Sequence, residues 1–128
     1  MDHLKELLKK DAFAKLCGIQ LVECHPGFAR CTMDVTENHL NGIGTLMGGA
    51  LFTLADFTFC VAANSHGTLA VSLHVSISYL RPCISGTVTA VAEEVSRSAR
   101  TGVYRVSLTD SGGIPIADVT GTCYFKKS

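Results

Sequence analysis

Residues 48–63 form a stretch that contains no proline and is apolar on almost every side. A helix that is apolar all round is normally buried and covered by the rest of its domain. We therefore expect a long central helix with the remaining chain wrapped around it. One carboxylate, Asp56, lies near the middle of this stretch. Because an ionised carboxylate is costly to bury, Asp56 is expected to have either a polar partner or a raised pKa.

The length and charge of the chain limit what else it can be. Its 128 residues suffice for one domain with a real core, so we expect a single domain over residues 1–128. Lys plus Arg and Asp plus Glu number 11 each, which gives no support for binding to nucleic acid or to a membrane surface. No apolar run reaches the ~18 residues of a membrane-spanning helix.

The six cysteines are interpreted as buried, reduced thiols rather than as disulfides or zinc ligands. None of them forms a CxxC pair, and no group of Cys and His residues has the spacing of a zinc site. The N-terminal residues do not resemble a signal peptide, because charged residues interrupt the short apolar run over residues 4–8. We therefore expect a cytoplasmic protein.

Hydrophobic periodicity predicts the other helices and strands. A short amphipathic helix is expected over residues 4–16, with Gly18 as its C-cap. Strands are expected over residues 19–22, 28–35, 69–80, 87–95, 103–109 and 114–125. Along residues 71–79, the odd-numbered side chains are expected on one face and the even-numbered ones on the other. The last four strands are expected to follow one another as an antiparallel meander.

Several motifs agree with the pattern of one enzyme family. They are Asn41-Gly42, Gly48-Gly49, Leu54-Ala55-Asp56 and Asn64-Ser65, with weaker matches at residues 79–82, 100–104 and 117–121. Through them the chain resembles the hotdog-fold acyl-CoA thioesterases of the phenylacetate-degradation (PaaI-like) type, from residue 13 onward. The resemblance implies an α+β hotdog fold, in which a curved antiparallel sheet wraps around one long buried helix. It also implies hydrolysis of acyl-CoA without a metal or redox cofactor, coenzyme A being part of the substrate.

The resemblance implies roles for individual residues. The N–H of Gly48, at the N-terminal end of the helix, is expected to stabilise an oxyanion, and Asp56 to act as base or as nucleophile. Asn41 and Ser72 are expected to orient the substrate and the attacking water. The residues expected to contact the substrate are Met47, Gly49, Arg81, Arg97 and Arg100. The arginines considered for the phosphates of coenzyme A are Arg81, Arg97, Arg100 and Arg105.

Each of these residues also has a structural interpretation. Asp56 could be a buried acid tied to a threonine or to the backbone, and Gly48 a glycine that permits close packing. Asn41 could be a turn residue, Ser72 part of a solvated strand surface, and the arginines a solvated basic loop. Cys60, one helical turn after Asp56, is expected to be a packing residue, since burial raises the pKa of a thiol.

Met47 is the one departure from the family motif, which has histidine at that position. Two further functions therefore stay open: a hotdog protein that binds acyl-CoA but hydrolyses it poorly, and an enzyme that hydrates or dehydrates an acyl thioester. The second generally needs an Asp and His pair, and no histidine lies within one helical turn of Asp56. An apolar acyl pocket is expected around Leu46, Met47, Leu51 and Phe57.

The spacing of Gly48 and Asp56 predicts an oligomer. They are eight positions apart, which places them ~12 Å apart along a helix axis. A thioester carbonyl needs an oxyanion donor within ~3 Å, with its attacking water close to the base. Two helices packed antiparallel about a two-fold axis would set Gly48 of one chain beside Asp56 of the other. We therefore expect a homo-oligomer, a dimer or a dimer of dimers, with shared active sites.

Overall fold

The computed structural model describes residues 2–126. Within them lie three α-helices, α1 (Asp2–Lys10), α2 (Ala12–Cys17) and α3 (Gly48–Ala63). The strands are β1 (Ile19–His25), β2 (Phe28–Asp34), β3 (Ala70–Tyr79), β4 (Thr87–Arg97), β5 (Thr101–Thr109) and β6 (Pro115–Phe125). Each of the predicted strands is present, with bounds that differ from the prediction by three residues or fewer.

The six strands form one antiparallel sheet in the order β1-β2-β4-β5-β6-β3. The helix α3 contacts every strand of this sheet. Because its side chains are apolar nearly all round, most of its residues are buried, including Leu54, Phe59 and Val61. The predicted α+β architecture, a sheet that surrounds one long buried helix, is confirmed.

The prediction of a four-strand meander is wrong for β3. This strand pairs with β6 at one edge of the sheet, whereas β4 pairs with β2 and β5. Beyond the end of β3, the N–H groups of Leu80 and Arg81 both donate to the carbonyl of Ile116 in β6. Pro82 then ends the pairing because it has no N–H. Residues 80–86 therefore carry the chain across the end of the sheet to β4.

The single helix predicted over residues 4–16 is divided at Asp11. The backbone of Asp11 is not helical, and its carboxylate accepts a hydrogen bond of 3.1 Å from the N–H of Ala14. Aspartate is a favoured N-cap, so the residue starts a new helix, α2. Gly18 ends α2 in the left-handed conformation (φ 78°), as predicted. The break lets α2 pack against α3.

A partly buried polar network fixes the end of α3 to the sheet. Glu94 of β4 accepts hydrogen bonds from the hydroxyl of Tyr104 (2.8 Å) and from the ring of His66 (2.7 Å), just beyond α3. Burial opposes the ionisation of Glu94, but these hydrogen bonds and the charge of Arg97 outweigh it, so the pKa of Glu94 is lowered. Tyr104 is fully buried, so its hydroxyl depends on Glu94 as its hydrogen-bond acceptor.

Glu94→Ala is expected to lower the free energy of unfolding by about 2 kcal/mol at pH 7, because it leaves the Tyr104 hydroxyl without an acceptor. Since the folded pKa of Glu94 is lowered, its stabilisation is present above the ordinary pKa of glutamate and is lost as the pH falls through the folded value. The difference between the two proteins in urea denaturation should therefore narrow at acid pH. Adding Tyr104→Phe should restore part of the loss. A double variant as unstable as the single one would contradict the network.

Candidate active site

The helix α3 begins with unpaired N–H groups. Met47, the residue before the helix, is extended (φ −65°, ψ 137°) and provides no side-chain cap. Among residues 2–126, no group accepts a hydrogen bond from the N–H of Gly48 or of Gly49. These donors lie at the positive end of the helix dipole. The start of α3 can therefore stabilise negative charge on a ligand oxygen.

Tyr79 explains why position 48 is a glycine. A Cβ at Gly48 would lie 2.9 Å from Cζ of the Tyr79 ring. The hydroxyl of Tyr79 also donates a hydrogen bond of 3.0 Å to the carbonyl of Gly48. These contacts hold the start of α3 against β3. The packing interpretation of Gly48 is thus correct, and it leaves the N–H of Gly48 free for a ligand.

Asn41 organises the loop that leads into α3. Its Oδ1 accepts hydrogen bonds from the N–H groups of Ile43 and Thr45, both at 3.1 Å. Its Nδ2 donates one hydrogen to the hydroxyl of Thr45 at 2.8 Å. Within the chain, these contacts are those of a turn residue. Asn41 therefore acts on the site at least by fixing the loop that positions Met47 and Gly48.

Asp56 is half-buried, on the side of α3 that the sheet does not cover. Burial raises the pKa of its carboxyl, and the charge of Asp11 raises it further. Two threonines close to Asp56 in the helix, Thr53 and Thr58, donate their hydroxyls to the carbonyls of Gly49 and Leu54. Neither threonine hydroxyl donates to Asp56, so the contacts do not support the interpretation of Asp56 as a structural acid tied to a threonine. The raised pKa makes the Asp56 carboxylate a stronger base than an exposed aspartate.

Asp11 is a feature of the site that sequence reasoning did not predict. The residue was assigned to the interior of a longer helix, although aspartate before an apolar helical segment is a recognisable N-cap signal. That signal explains the cap, but nothing in the spacing of Asp11 and Asp56 indicates that the two carboxylates lie near each other. Their proximity follows from the packing of α2 on α3.

The cysteines are all free. Cys31, Cys83 and Cys123 are buried, as predicted, whereas Cys17 and Cys24 are only partly buried. The prediction of burial is wrong for Cys60, which lies on the exposed side of α3, one helical turn after Asp56. Neighbouring protein atoms nevertheless withdraw its sulfur from water, and with the charges of Asp56 and Asp11 they raise the pKa of the thiol to about 11. The raised pKa of the thiol agrees with the prediction, whereas the exposure of Cys60 contradicts its interpretation as a packing residue.

A β-bulge changes the position predicted for Ser72. Ser72 pairs with Cys123, which is buried, and the next residue, Leu73, is an extra residue in β3. Cross-strand partners share a face of the sheet, so Ser72 lies on the side that carries α3. Beyond the bulge, odd-numbered residues such as Tyr79 take that side. The prediction of one uninterrupted alternation along residues 71–79 is therefore wrong.

The arginines considered for phosphate binding are not all close together within one chain. Arg105 is paired with Asp118 on β6. Arg81 lines a cavity with Gly48 and Tyr79, at the start of α3. Arg97 lines another cavity with His66, beyond the opposite end of α3. Arg100 lies in the β4–β5 loop, three residues after Arg97 at the end of β4, and its guanidinium donates to the hydroxyl of Tyr124.

One chain also does not bring Gly48 and Asp56 together, because both lie on α3 at a separation of ~12 Å along its axis. In the described part of the chain, no group of three or more His, Cys, Asp and Glu side chains is placed to hold a metal ion. None of the helices within residues 2–126 has the length and apolar character needed to cross a membrane.

Comparison with known proteins identifies relatives of this arrangement. The family model of the thioesterase superfamily matches residues 43–117. The acyl-coenzyme A thioesterase PaaI of Escherichia coli is 42% identical over 103 residues, which are 80% of this chain and 74% of that protein.

Solved structures agree. The E. coli PaaI protein from the phenylacetic acid degradation operon has a TM-score of 0.94 at 36% identity, over 97% of this chain and 91% of that one. A hypothetical thioesterase protein with coenzyme A from Streptococcus pneumoniae has a TM-score of 0.82 at 28% identity, over 86% of this chain and 87% of that one.

These matches bear on both the fold and the chemistry. The close superposition on PaaI confirms the hotdog fold that the sequence motifs imply. The family model covers more than half of the chain, and PaaI matches most of it at 42% identity. The chain therefore belongs to the thioesterase superfamily, as a hotdog-fold thioester hydrolase of the PaaI-like type.

Proposed function

We propose that the chain hydrolyses acyl-CoA thioesters to the free acid and coenzyme A. The observation that carries the proposal is the pair of groups on α3: unpaired N–H donors at Gly48 and Gly49, and the half-buried carboxylate of Asp56 with its raised pKa. An oxyanion donor and a base are what hydrolysis of a thioester requires. The similarity to an acyl-coenzyme A thioesterase and to a thioesterase with coenzyme A supports this substrate class.

In the proposed reaction, the N–H of Gly48 donates to the carbonyl oxygen of the thioester. Ionised Asp56 takes a proton from a water molecule while the water oxygen attacks the carbonyl carbon. The tetrahedral intermediate then breaks its C–S bond, and the thiolate of coenzyme A leaves and takes up the proton. In the alternative route, the carboxylate of Asp56 attacks the carbonyl carbon, and the C–S bond breaks with departure of the coenzyme A thiolate. Water then hydrolyses the resulting mixed anhydride to the free acid and the Asp56 carboxylate, and the released proton goes to the thiolate. The raised pKa makes Asp56 a stronger base in either route.

The site is proposed to form between two chains. Gly48 of one chain and Asp56 of the other can meet across a two-fold axis, which a single α3 does not allow. The edge strand β3 supports a second copy as the partner along this edge. Within residues 2–126 it pairs only with β6, and its side chains Val71, Leu73 and Tyr79 are exposed. Ser72 lies on the α3 side of this edge, where it can orient water in the shared site.

The phosphates of coenzyme A are proposed to bind at the cavity that Arg97 and His66 line, with Arg100 nearby. His66 is ten positions after Asp56, about 15 Å along the chain direction of α3, a distance comparable to an extended pantetheine arm. When the two α3 helices pack antiparallel, the N-terminal end of one lies at the same end of the pair as the C-terminal end of the other. Arg81 of one chain would then lie between the thioester and Arg97 of its partner, beside the pantetheine arm.

Release of free thiol from a panel of short, medium-chain and aromatic acyl-CoAs tests the proposal. The parent protein is expected to hydrolyse at least one member, and Arg97→Ala is expected to raise KM for acyl-CoA about tenfold, since it removes charge-assisted hydrogen bonds to phosphate. KM for the matching S-acyl-N-acetylcysteamine, which has no phosphate, should not change. Arg105→Ala is the matched control, because Asp118 holds this exposed guanidinium with two hydrogen bonds.

Two outcomes would contradict parts of this proposal. A parent that binds acyl-CoA but cleaves no member of the panel would be a binding protein, the function left open by Met47 in place of histidine. An equal rise in KM for both substrate types would place Arg97 away from the phosphates.

A cytoplasmic location is also proposed, because all six cysteines are free.

A further inference from the structure

Two cavities flank the start of α3. One of about 340 Å³ lies on the β3 side and is lined by Gly48 and Arg81. The other, of about 410 Å³, lies between α2 and α3, and we call it the α2–α3 cleft. Phe13 and Cys17 of α2 form one wall of the cleft, and the opposite wall is formed by Met47, Gly49, Ala50 and Thr53. This volume is within the range of small-molecule sites.

Three residues with polar side chains, Asn38, His39 and Thr53, line the cleft. Asn38 is exposed to solvent, and the other two are hydrogen-bonded within the chain. The Nδ1 of His39 accepts from the N–H of Thr36 at 3.0 Å, and its Nε2 donates to the carbonyl of Cys17 at 2.8 Å. The hydroxyl of Thr53 donates to the carbonyl of Gly49 at 2.8 Å. Burial and the charge of Asp11 raise the pKa of the Cys17 thiol, which is therefore neutral at pH 7. Among the described residues, no Asp, Glu, Lys or Arg lines the cleft, so it suits an uncharged, apolar group.

The cleft lies next to the oxyanion donor, since Gly49 is in its lining and Gly48 is in the lining of the Arg81 cavity. Gly49 follows Gly48 directly, and Ala50 and Thr53 extend the wall toward the C-terminal end of α3. The cavity with Arg81 extends toward the segment that precedes α3. Its lining includes Leu46 and Cys83, and the N–H of Leu46 donates a hydrogen bond to the carbonyl of Cys83. A thioester whose carbonyl oxygen contacts Gly48 would therefore have an apolar space on one side and a cation on the other.

We propose that the α2–α3 cleft holds the acyl group and selects uncharged, apolar acyl chains over acetyl and over acyl groups that carry a carboxylate. The proposal rests on the thioesterase function proposed above. The Met47 side chain, 55% exposed, supplies apolar surface at the position where the family motif has histidine. Of the other residues predicted to form an acyl pocket, Leu46 and Leu51 face the Arg81 cavity and Phe57 is buried in the core.

Filling the cleft tests the proposal. A Cβ added at Gly49 has no heavy atom within 4 Å, so Gly49→Leu can extend its side chain into the cleft without displacing the helix. The ratio of kcat/KM for octanoyl-CoA to that for acetyl-CoA is expected to fall at least about tenfold, in line with hydrophobic pocket discrimination. Gly112→Leu, in the turn between β5 and β6, is the matched control, because its added Cβ makes only an ordinary contact of 3.5 Å with Asp110.

Phe13→Ala provides a second test from the opposite wall, on a side chain that is 60% exposed. It removes apolar contact without filling the cleft, so it should lower kcat/KM for octanoyl-CoA and phenylacetyl-CoA but leave acetyl-CoA nearly unchanged. Succinyl-CoA should be a poor substrate of the parent. Binding of S-octyl-CoA, a thioether that cannot be hydrolysed, should weaken in both variants and gives a readout independent of turnover.

The outcomes separate the two proposals. An active parent whose octanoyl to acetyl ratio is unchanged in both variants would overturn the cleft as the acyl site and leave the thioesterase function intact. Efficient cleavage of succinyl-CoA would do the same. A parent that cleaves no acyl-CoA would overturn the function and the acyl assignment together. If Gly49→Leu does not fold, Phe13→Ala and the binding of S-octyl-CoA decide.

Discussion

Asp56→Asn is expected to lower the rate of acyl-CoA hydrolysis by about 10³-fold, because asparagine keeps the shape of the side chain but cannot accept a proton. The same substitution is expected to raise the free energy of unfolding at pH 7. Burial and Asp11 raise the folded pKa of Asp56, so the folded chain binds its proton more tightly than the unfolded chain does. Protonation of Asp56 therefore increases the free energy of unfolding as the pH falls through the folded pKa. The neutral asparagine provides the same increase at pH 7.

Thiol-release kinetics and urea denaturation measure these two effects on the same preparation. Loss of activity together with undiminished stability would separate a catalytic role from a structural one. A variant that hydrolyses acyl-CoA at the parent rate would show that Asp56 is neither base nor nucleophile. A variant that is inactive because it has lost stability would contradict the raised pKa.

Asp11→Asn provides a matched variant for the pH dependence. Asparagine caps a helix about as well as aspartate, so α2 should remain intact. Removing the charge of Asp11 lowers the pKa of Asp56, and the acid limb of the pH–rate profile should move to lower pH with an unchanged plateau. If the limb does not move, the ionisation of Asp56 does not set it.

Mixing two inactive variants is expected to restore activity if each site is shared. Asp56→Asn removes the base, and Asn41→Ala loosens the loop that positions Gly48, through its contacts with Ile43 and Thr45. A heterodimer of the two has one site in which both chains contribute wild-type groups. Random exchange of equal amounts should therefore return about a quarter of wild-type activity, half of the sites in half of the dimers.

The control for the mixing experiment carries both substitutions in one chain. A mixture of Asn41→Ala/Asp56→Asn with Asp56→Asn contains no wild-type Asp56, so it should stay inactive at any ratio. Exchange of subunits is verified by tagging one variant and isolating the heterodimer. An inactive heterodimer of the single variants, or a fully active monomer, would overturn the shared site.

Local sequence patterns were sufficient to predict the central helix, the strands and the isolated carboxylate. The uniform apolar character of residues 48–63 requires a buried helix, whatever surrounds it. Alternating polarity likewise identifies each strand, because side chains on a strand alternate between its faces. The motifs around Gly48 and Asp56 can also be recognised from the local sequence, because both lie within α3.

Strand order and the surroundings of the site depend on contacts between distant segments. Nothing near β3 in the sequence shows that it pairs with β6, or that an extra residue at Leu73 turns Ser72 toward α3. The approach of Asp11 to Asp56, the cleft between α2 and α3 and the separation of Arg81 from Arg97 arise in the same way. Periodicity reports which side of an element is buried, whereas these features depend on which partner buries it, and that is set by packing across the whole fold.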